Sequence, residues 1–154
     1  MEKTPESFEH RLYFDYGKTH QNKLIMSSLS KNEKILLSYK LVKYTNTKHY
    51  EKGRILLVTN LAAYVCDPNQ LTCWMKSFFV KNGGVIRRRI LIEKVTSISL
   101  SKTSFEFVLH VPIEYDQRFR VQPEEPNHVK NLKAVKIRNK ILEAITESHL
   151  ARTN

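Results

Sequence analysis

The stretch KYTNTKHYEKGRILLVTN, residues 43–60, places Lys43, Lys48, Lys52 and Arg54 around a polar loop and then turns abruptly apolar. Like charges gathered at a loop mouth repel one another. An anion placed between them converts each repulsion into charge-assisted hydrogen bonds of about 1.5 to 3 kcal/mol. A guanidinium can grip two oxygens of a phosphate, whereas an ammonium acts as a point charge. Strand alternation sets Lys52 and Arg54 on one face, and a symmetric loop sets Lys43 opposite Arg54. The chemistry open to this cluster is recognition of a multiply charged anion. The plainer alternative is a solvated strand end whose lysines discourage edge-to-edge pairing.

Other groups bear on the same question. Alternation separates Arg88 from Arg87 and Arg89, so the triplet makes no single pocket; Arg87 and Arg89 offer delocalised attraction to an anionic surface, roughly 1 kcal/mol per basic residue near a membrane. A charged strand start is the alternative. Lys133, Lys136 and Lys140 read as a solvated helix face, since Glu143 and Glu147 lie toward the same side. Trp74, Phe78 and Phe79 around Lys76 read as core, with a lipid-dipping tip as the second reading because aromatics favour the membrane interface. His110, in an alternating strand, reads as a packed or half-exposed polar residue.

No G-x-x-x-x-G-K-S/T phosphate cradle, G-x-S-x-G elbow, Cys–His pair or paired carboxylates occur on comparable loops, so no catalytic residue and no cofactor is assigned. The six histidines and two cysteines, Cys66 and Cys73, lack HExxH, CxxC or other metal-ligand spacing. Both thiols read as ordinary cysteines in a reducing compartment, and no metal is expected.

The charge balance agrees with the loop. Against 15 Asp and Glu the chain carries 26 Lys and Arg, a formal net charge of +11. Such a balance favours lipid headgroups, nucleic acid or an acidic protein face. The start, MEKTPESFEHR, lacks the apolar core of a secretory signal, and no apolar run approaches the ~20 residues that span a bilayer. Any membrane contact is therefore expected to be peripheral. With 154 residues, 41% of them hydrophobic, the chain has the size of one domain and needs no disulfide or metal to fold.

The elements that position these residues follow from periodicity. Residues 1–30 have no sustained period and are expected as a partly ordered leader, followed by a domain over 31–150 and a tail over 151–154. Ser30 and Glu33 have capping-box spacing, yet KILLSYKLVKY alternates Ile35, Leu37, Tyr39 and Leu41 and reads as the first strand. GRILLVTNLAAYVCDP reads as a hairpin joined around Thr59 and Asn60 and ended by Asp67-Pro68. Residues 67–85 hold Pro, Asn and a Gly-Gly pair and are expected as a long excursion or a further strand with loops. IRRRILIEKV and TSISLS alternate again, and SFEFVLHV sets Phe105, Phe107, Leu109 and Val111 on one face. After Pro112 the pattern is expected to break. A helical period from about Val129 to His149 gathers Ala134, Ile137, Ile141, Leu142 and Ile145 on one arc, which should lie on a sheet. The expected fold is mainly β with a C-terminal α-helix, in the element order of a pleckstrin-homology-like β-barrel.

Three stretches carry a family likeness: KGRILLVTNLAAYV, IRRRILIEKVTSISLS and FEFVLHVPIEYD. Together they resemble the tail homology 1 domain of class I myosins, where R-x-L-L-L-T-x-x-x-x-Y, a basic cluster, I-x-L-E/D-x-I-x-x-I-S-V-S and a stretch ending H-V-P-x-E-Y-D follow in this order. Ile90–Ser101 and Phe107–Asp116 carry the later matches, and the likeness spans roughly residues 35–145. It implies a pleckstrin-homology-like fold that binds acidic phospholipids. In that family a phosphoinositide headgroup is held by a basic residue ending the first strand and another opening the second, here Lys43 and Arg54. Lys52-Gly53-Arg54 also has the K/R-x-R form associated with that site, and Gly53 is expected to leave space for the headgroup. A motor, a calmodulin-binding neck and a Src-homology tail find no room here, so a solitary tail-like module is expected.

The expected function is a non-enzymatic, cytoplasmic adaptor at the membrane or cytoskeleton. It binds an anionic phospholipid membrane surface through Lys43, Lys48, Lys52 and Arg54, assisted by Arg87 and Arg89. The alternative is a structural subunit that docks the same fold on an acidic protein partner in a larger assembly. Nucleic acid ranks third: basic charge with strand-borne aromatics supports stacking, but no RNA-binding signature backs it.

Overall fold

Alternating apolar residues in ILLSYKLVKY form strand β1 (Ile35–Tyr44), the centre of a seven-stranded sheet. The structure is a computed structural model that describes residues 23–44, 51–67, 86–102, 104–121 and 128–153. The other strands are β2 (Glu51–Thr59), β3 (Ala62–Cys66), β4 (Ile86–Leu91), β5 (Ser97–Leu100), β6 (Glu106–His110) and β7 (Gln117–Arg120). Every pairing is antiparallel, in the order β4-β3-β2-β1-β7-β6-β5. A short helix α1 (Lys23–Ser28) precedes the sheet, a 3-10 turn (Ile92–Lys94) joins β4 to β5, and a long helix α2 (His128–Thr153) follows β7. This is the mainly β architecture with a C-terminal helix that periodicity predicts. No helix among the described residues is long and apolar enough to cross a membrane.

One face of the sheet forms the main core. Leu41, Leu56, Val65, Ile90, Phe107 and Phe119 pack there with α2. The five residues assigned to the apolar arc of α2 are all buried, while Lys136 and Lys140 are exposed, as a solvated helix face requires. The rings of Phe107 and Phe119 meet with centroids 5.5 Å apart. On the other face Ile25 of α1 packs with Ile55, Leu57, Tyr64 and Cys66. Because β2 and β3 are covered on both sides, their sequences RILLV and AAYVC are continuous apolar runs rather than alternating ones. Burial pushes the Cys66 thiol up to about 12. Cys73 and the aromatic group Trp74, Phe78 and Phe79 lie outside the described residues.

One local expectation is met and another is revised. The Ser30–Glu33 spacing makes its hydrogen bond without starting a helix: Ser30 N–H donates to Glu33 Oε2 at 3.0 Å and Glu33 N–H to the Ser30 carbonyl at 3.0 Å, closing a turn into β1. The alternation also resumes beyond Pro112 as β7, with Gln117, Phe119 and Val121 buried and Arg118 exposed. A strand of four residues with a polar Gln117 facing inward leaves only a faint apolar period.

The register decides which connections gather. The end of β1 pairs with the start of β2 (Lys43 with Lys52), the start of β2 with the end of β3 (Ile55 with Cys66), and the end of β3 with the start of β4 (Cys66 with Ile86). Lys43 also pairs with Phe119 near the start of β7. These strand ends, with the 112–116 turn that feeds β7, line one rim of the barrel. Helix α2 is anchored elsewhere: Arg138 Nη1 donates to the Ser101 and Ser104 carbonyls at 3.0 Å, and Arg152 bonds Glu93 at 3.2 Å. Ser101 and Ser104 belong to the β5–β6 connection, at the opposite end of β6 from the 112–116 turn.

Candidate functional site

Cations collect at the rim because the β1–β2 ladder runs on to Tyr44 opposite Glu51. Lys43 therefore stands opposite Lys52, and Arg54 opposite Leu41, which corrects the expected Lys43–Arg54 pairing. Two like charges across a ladder destabilise the strand pair unless something anionic compensates. Leu41 and Leu56 belong to the main core, so alternation carries the Lys43 and Arg54 positions onto the same inner face, one step beyond it. Arg54 Nη1 donates to the Gly53 carbonyl at 3.0 Å, and no carboxylate among the described residues pairs with it. Lys48 lies outside the described residues. Gly53 stands opposite Val42, so it faces away from Arg54; a side chain there would meet nothing within 4 Å. The room it leaves is on the outer surface and not over the cations, contrary to expectation.

Within the arginine triplet, Arg88 and Arg89 divide as alternation predicts. Arg87 bonds Asp67 at 3.0 Å with its side chain 50% exposed. Arg89 Nε donates to the Tyr64 hydroxyl at 3.0 Å, and that hydroxyl donates to Glu33 Oε1 at 2.6 Å. Arg89 lies on the Tyr64 face of the sheet, opposite the face of Arg54, so the fold does not bring it to Lys43 and Arg54, while Arg87 falls at the bulge between the Arg88 and Ile86 pairings and is engaged by Asp67. Burial, followed by the hydrogen bond to Glu33, pushes the Tyr64 hydroxyl from 10.0 up to about 12. A raised folded-state value means that this contribution to stability is complete below about pH 10 and is lost as pH rises toward about 12. Tyr64→Phe is therefore expected to flatten the alkaline fall in stability across that window, read from urea midpoints against pH.

Arg88, which alternation sets apart, is the member that the fold buries. Its side chain is 9% exposed, on the inner face with Val65 and Ile90. Arg88 Nη2 donates to Glu114 Oε2 at 2.7 Å and to the Tyr115 carbonyl at 3.0 Å, and its guanidinium lies 3.9 Å from the centre of the Tyr115 ring. Its Nη1 is buried without a hydrogen-bond partner. Lys94 reaches Glu114 Oε1 at 3.7 Å. The Arg88 hydrogen bond above all holds the Glu114 carboxyl below the usual carboxylate range.

The strand that periodicity misses adds two more cations. Arg118 and Arg120 lie 4.5 and 5.6 Å from the centre of the Tyr44 ring, and Arg118 bonds Glu106 at 2.6 Å. The available signal was the short alternation of Gln117, Phe119 and Val121 with Arg118 and Arg120.

His110 is held on both sides. Ser99 Oγ lies 2.6 Å from Nε2, Nδ1 lies 2.9 Å from Asp116 Oδ2, and Asp116 Oδ1 accepts the Val111 N–H at 3.0 Å. The order hydroxyl, imidazole, carboxylate is that of a hydrolytic triad, which also needs donors for an oxyanion. Ser101 N–H bonds the Glu106 carbonyl, and the same register turns the Ser99 N–H into the β5–β6 ladder. The backbone N–H of Ser99 is thus directed at β6. What the bonds do is fasten the 112–116 turn to β5 and β6. The His110 hydrogen bond, then that from Val111, lowers the Asp116 carboxyl. A depression of about 240 Å³ between the start of β5 and α2, bordered by Val95, Ile98, Ile145 and Leu150, lies apart from these cations.

No family model matches the chain, and no curated protein matches it by sequence. Solved structures match it by fold. It is similar to the N-terminal PH domain of human ARAP2, with TM-score 0.50 and 16% identity over 82% of this chain and 87% of that one. A second is the PH domain of human pleckstrin homology domain-containing protein family A member 5, with TM-score 0.51 and 14% identity over 79% and 82%. A third is the hSac2 domain of the human phosphoinositide phosphatase Sac2, with TM-score 0.54 and 18% identity over 84% and 76%. At such identities the likeness concerns the fold alone: a seven-stranded antiparallel sheet with a C-terminal helix.

Proposed function

From this pleckstrin-homology-like fold we propose that the chain is a non-enzymatic peripheral adaptor whose rim binds anionic phospholipid, phosphoinositide headgroups in particular, through Lys43, Lys52 and Arg54. The observation that carries the reading is the register: Lys43 faces Lys52, and Arg54 follows on the same inner face with no carboxylate partner among the described residues. A phosphate between such groups removes their repulsion and gains charge-assisted hydrogen bonds. The buried Nη1 of Arg88, on that same face, is a further donor that a phosphate or a water can take up. Lys48, in the connection between β1 and β2, adds charge to the same segment. Arg87 adds delocalised attraction, while Arg89 serves the Tyr64–Glu33 bond. The myosin-tail-like stretches Ile90–Ser101 and Phe107–Asp116 support the same ligand class, as does the neighbour that belongs to a phosphoinositide phosphatase.

Sedimentation with vesicles tests this. Binding is expected to rise from phosphatidylcholine alone, through added phosphatidylserine, to added phosphoinositide. It should weaken with salt, because the Debye length shrinks from about 10 Å at 0.1 M to about 3 Å at 1 M. Equal binding to all three compositions sinks the reading. A second reading, docking on an acidic protein assembly, draws on the outer surface where Arg118 and Arg120 stack on Tyr44. It is favoured by co-purification that survives detergent and ignores inositol polyphosphates.

A further inference from the structure

Ile113 is 79% exposed, more than any other large apolar residue described. It stands in a turn held from several sides. Glu114 N–H donates to the Val111 carbonyl at 3.1 Å, Asp116 accepts the Val111 N–H, His110 bonds Asp116, and Arg88 bonds both Glu114 and the Tyr115 carbonyl. All these bonds are made by its neighbours, so the fold has no use for an apolar side chain at Ile113. The turn belongs to the rim: it feeds β7, whose Arg118 stacks on Tyr44 beside Lys43. Its chemistry is layered. Tyr115, 53% exposed with Arg88 against its ring, is an amphipathic aromatic of the kind found at headgroup depth. Glu114, next to Ile113, is met by Arg88 and Lys94, so its charge is matched before any anionic surface approaches.

We propose that the 112–116 turn is a membrane wedge: on an anionic bilayer, Ile113 enters the outer acyl region while Tyr115 and the flanking cations remain among the headgroups. The proposal rests on the anionic-lipid reading of the rim and adds an apolar anchor to it. A rigid turn suits this role because the apolar group is already presented, and ordering the loop costs nothing further on binding.

Ile113→Ser is expected to weaken partition of the full chain onto phosphatidylcholine vesicles containing phosphatidylserine about tenfold, as removal of one inserted aliphatic side chain does. Thermal unfolding and binding of soluble inositol hexakisphosphate should stay unchanged, and Ile113→Leu should keep the partition. In a Trp74→Phe background, Ile113→Trp should give blue-shifted emission that brominated acyl chains quench on those vesicles. Undiminished partition of the Ser variant with unquenched Trp emission overturns the wedge. The two readings fail separately. If Arg54→Ala leaves phosphoinositide and inositol phosphate binding intact while Ile113→Ser still lowers partition, the headgroup reading of Arg54 fails and the wedge stands. If Arg54→Ala lowers binding and Ile113→Ser does not, the wedge fails and the rim stands.

Discussion

Arg54→Ala is expected to weaken binding to phosphoinositide vesicles by roughly tenfold to a hundredfold, the loss of charge-assisted hydrogen bonds worth about 1.5 to 3 kcal/mol. The fold should not suffer. Arg54 is half-buried at the start of β2, and its bond goes to the carbonyl of its own neighbour Gly53, so truncation strands no distant group. Arg54→Lys separates charge from geometry. If the planar fork grips two phosphate oxygens, Lys recovers only part of the affinity; if the group acts as charge alone, Lys recovers nearly all of it. Titration at fixed salt with phosphoinositide and with phosphatidylserine vesicles reads the difference. An equal fall on both lipids would reduce the site to delocalised attraction, and no fall on either would remove Arg54 from it.

Glu33→Ala is expected to cost about 3 kcal/mol of folding stability, because one carboxylate serves three donors in a site closed to water. Glu33 is 8% exposed. Its Oε1 accepts from the Thr59 hydroxyl at 2.7 Å and the Tyr64 hydroxyl at 2.6 Å, and its Oε2 from the Ser30 N–H at 3.0 Å. The Thr59 oxygen in turn accepts the Leu61 and Ala62 N–H groups at 3.2 and 3.0 Å, so the bond to Glu33 orients the residue that closes the β2–β3 hairpin. Arg89 reaches the same cluster through Tyr64. Removing the carboxylate takes the acceptor from two hydroxyls and the Ser30 N–H on the buried side of the hairpin. Glu33→Gln keeps the shape and one acceptor and should cost about half as much. Urea unfolding measures both, and a loss under about 1 kcal/mol in the Ala variant would show that water replaces the carboxylate there.

Much of the architecture was legible in consecutive residues, because burying every second side chain leaves its period in the chain itself. Ile35, Leu37, Tyr39 and Leu41 announce β1, Phe107 and Leu109 announce β6, and Ile137, Ile141 and Ile145 announce the buried face of α2. Thr59 and Asn60 mark the hairpin where the structure turns: Asn60 Oδ1 accepts the Lys34 N–H at 2.7 Å and Asn60 N–H donates to the Lys34 carbonyl at 3.1 Å. Strand β7 escaped because a four-residue strand with Gln117 facing inward offers too little apolar contrast. Its arginines escaped with it.

The cationic character of residues 43–54 belongs to the sequence, since charge is a property of residue type and needs no neighbour. Which cation meets which is decided only by the fold. Lys43 faces Lys52 because the ladder continues to Tyr44 and Glu51, and the length of a ladder depends on pairing between segments rather than on either segment. Arg88 is buried because the 112–116 turn arrives with Glu114 and Tyr115, residues distant in the chain. Arg89 is turned to the face opposite Arg54 by the register of β4 on β3. Local periodicity therefore determined the elements and the chemistry carried on them. Tertiary closure, where long-range pairing sets the face and the partner of every side chain, selected which of those charges stand together.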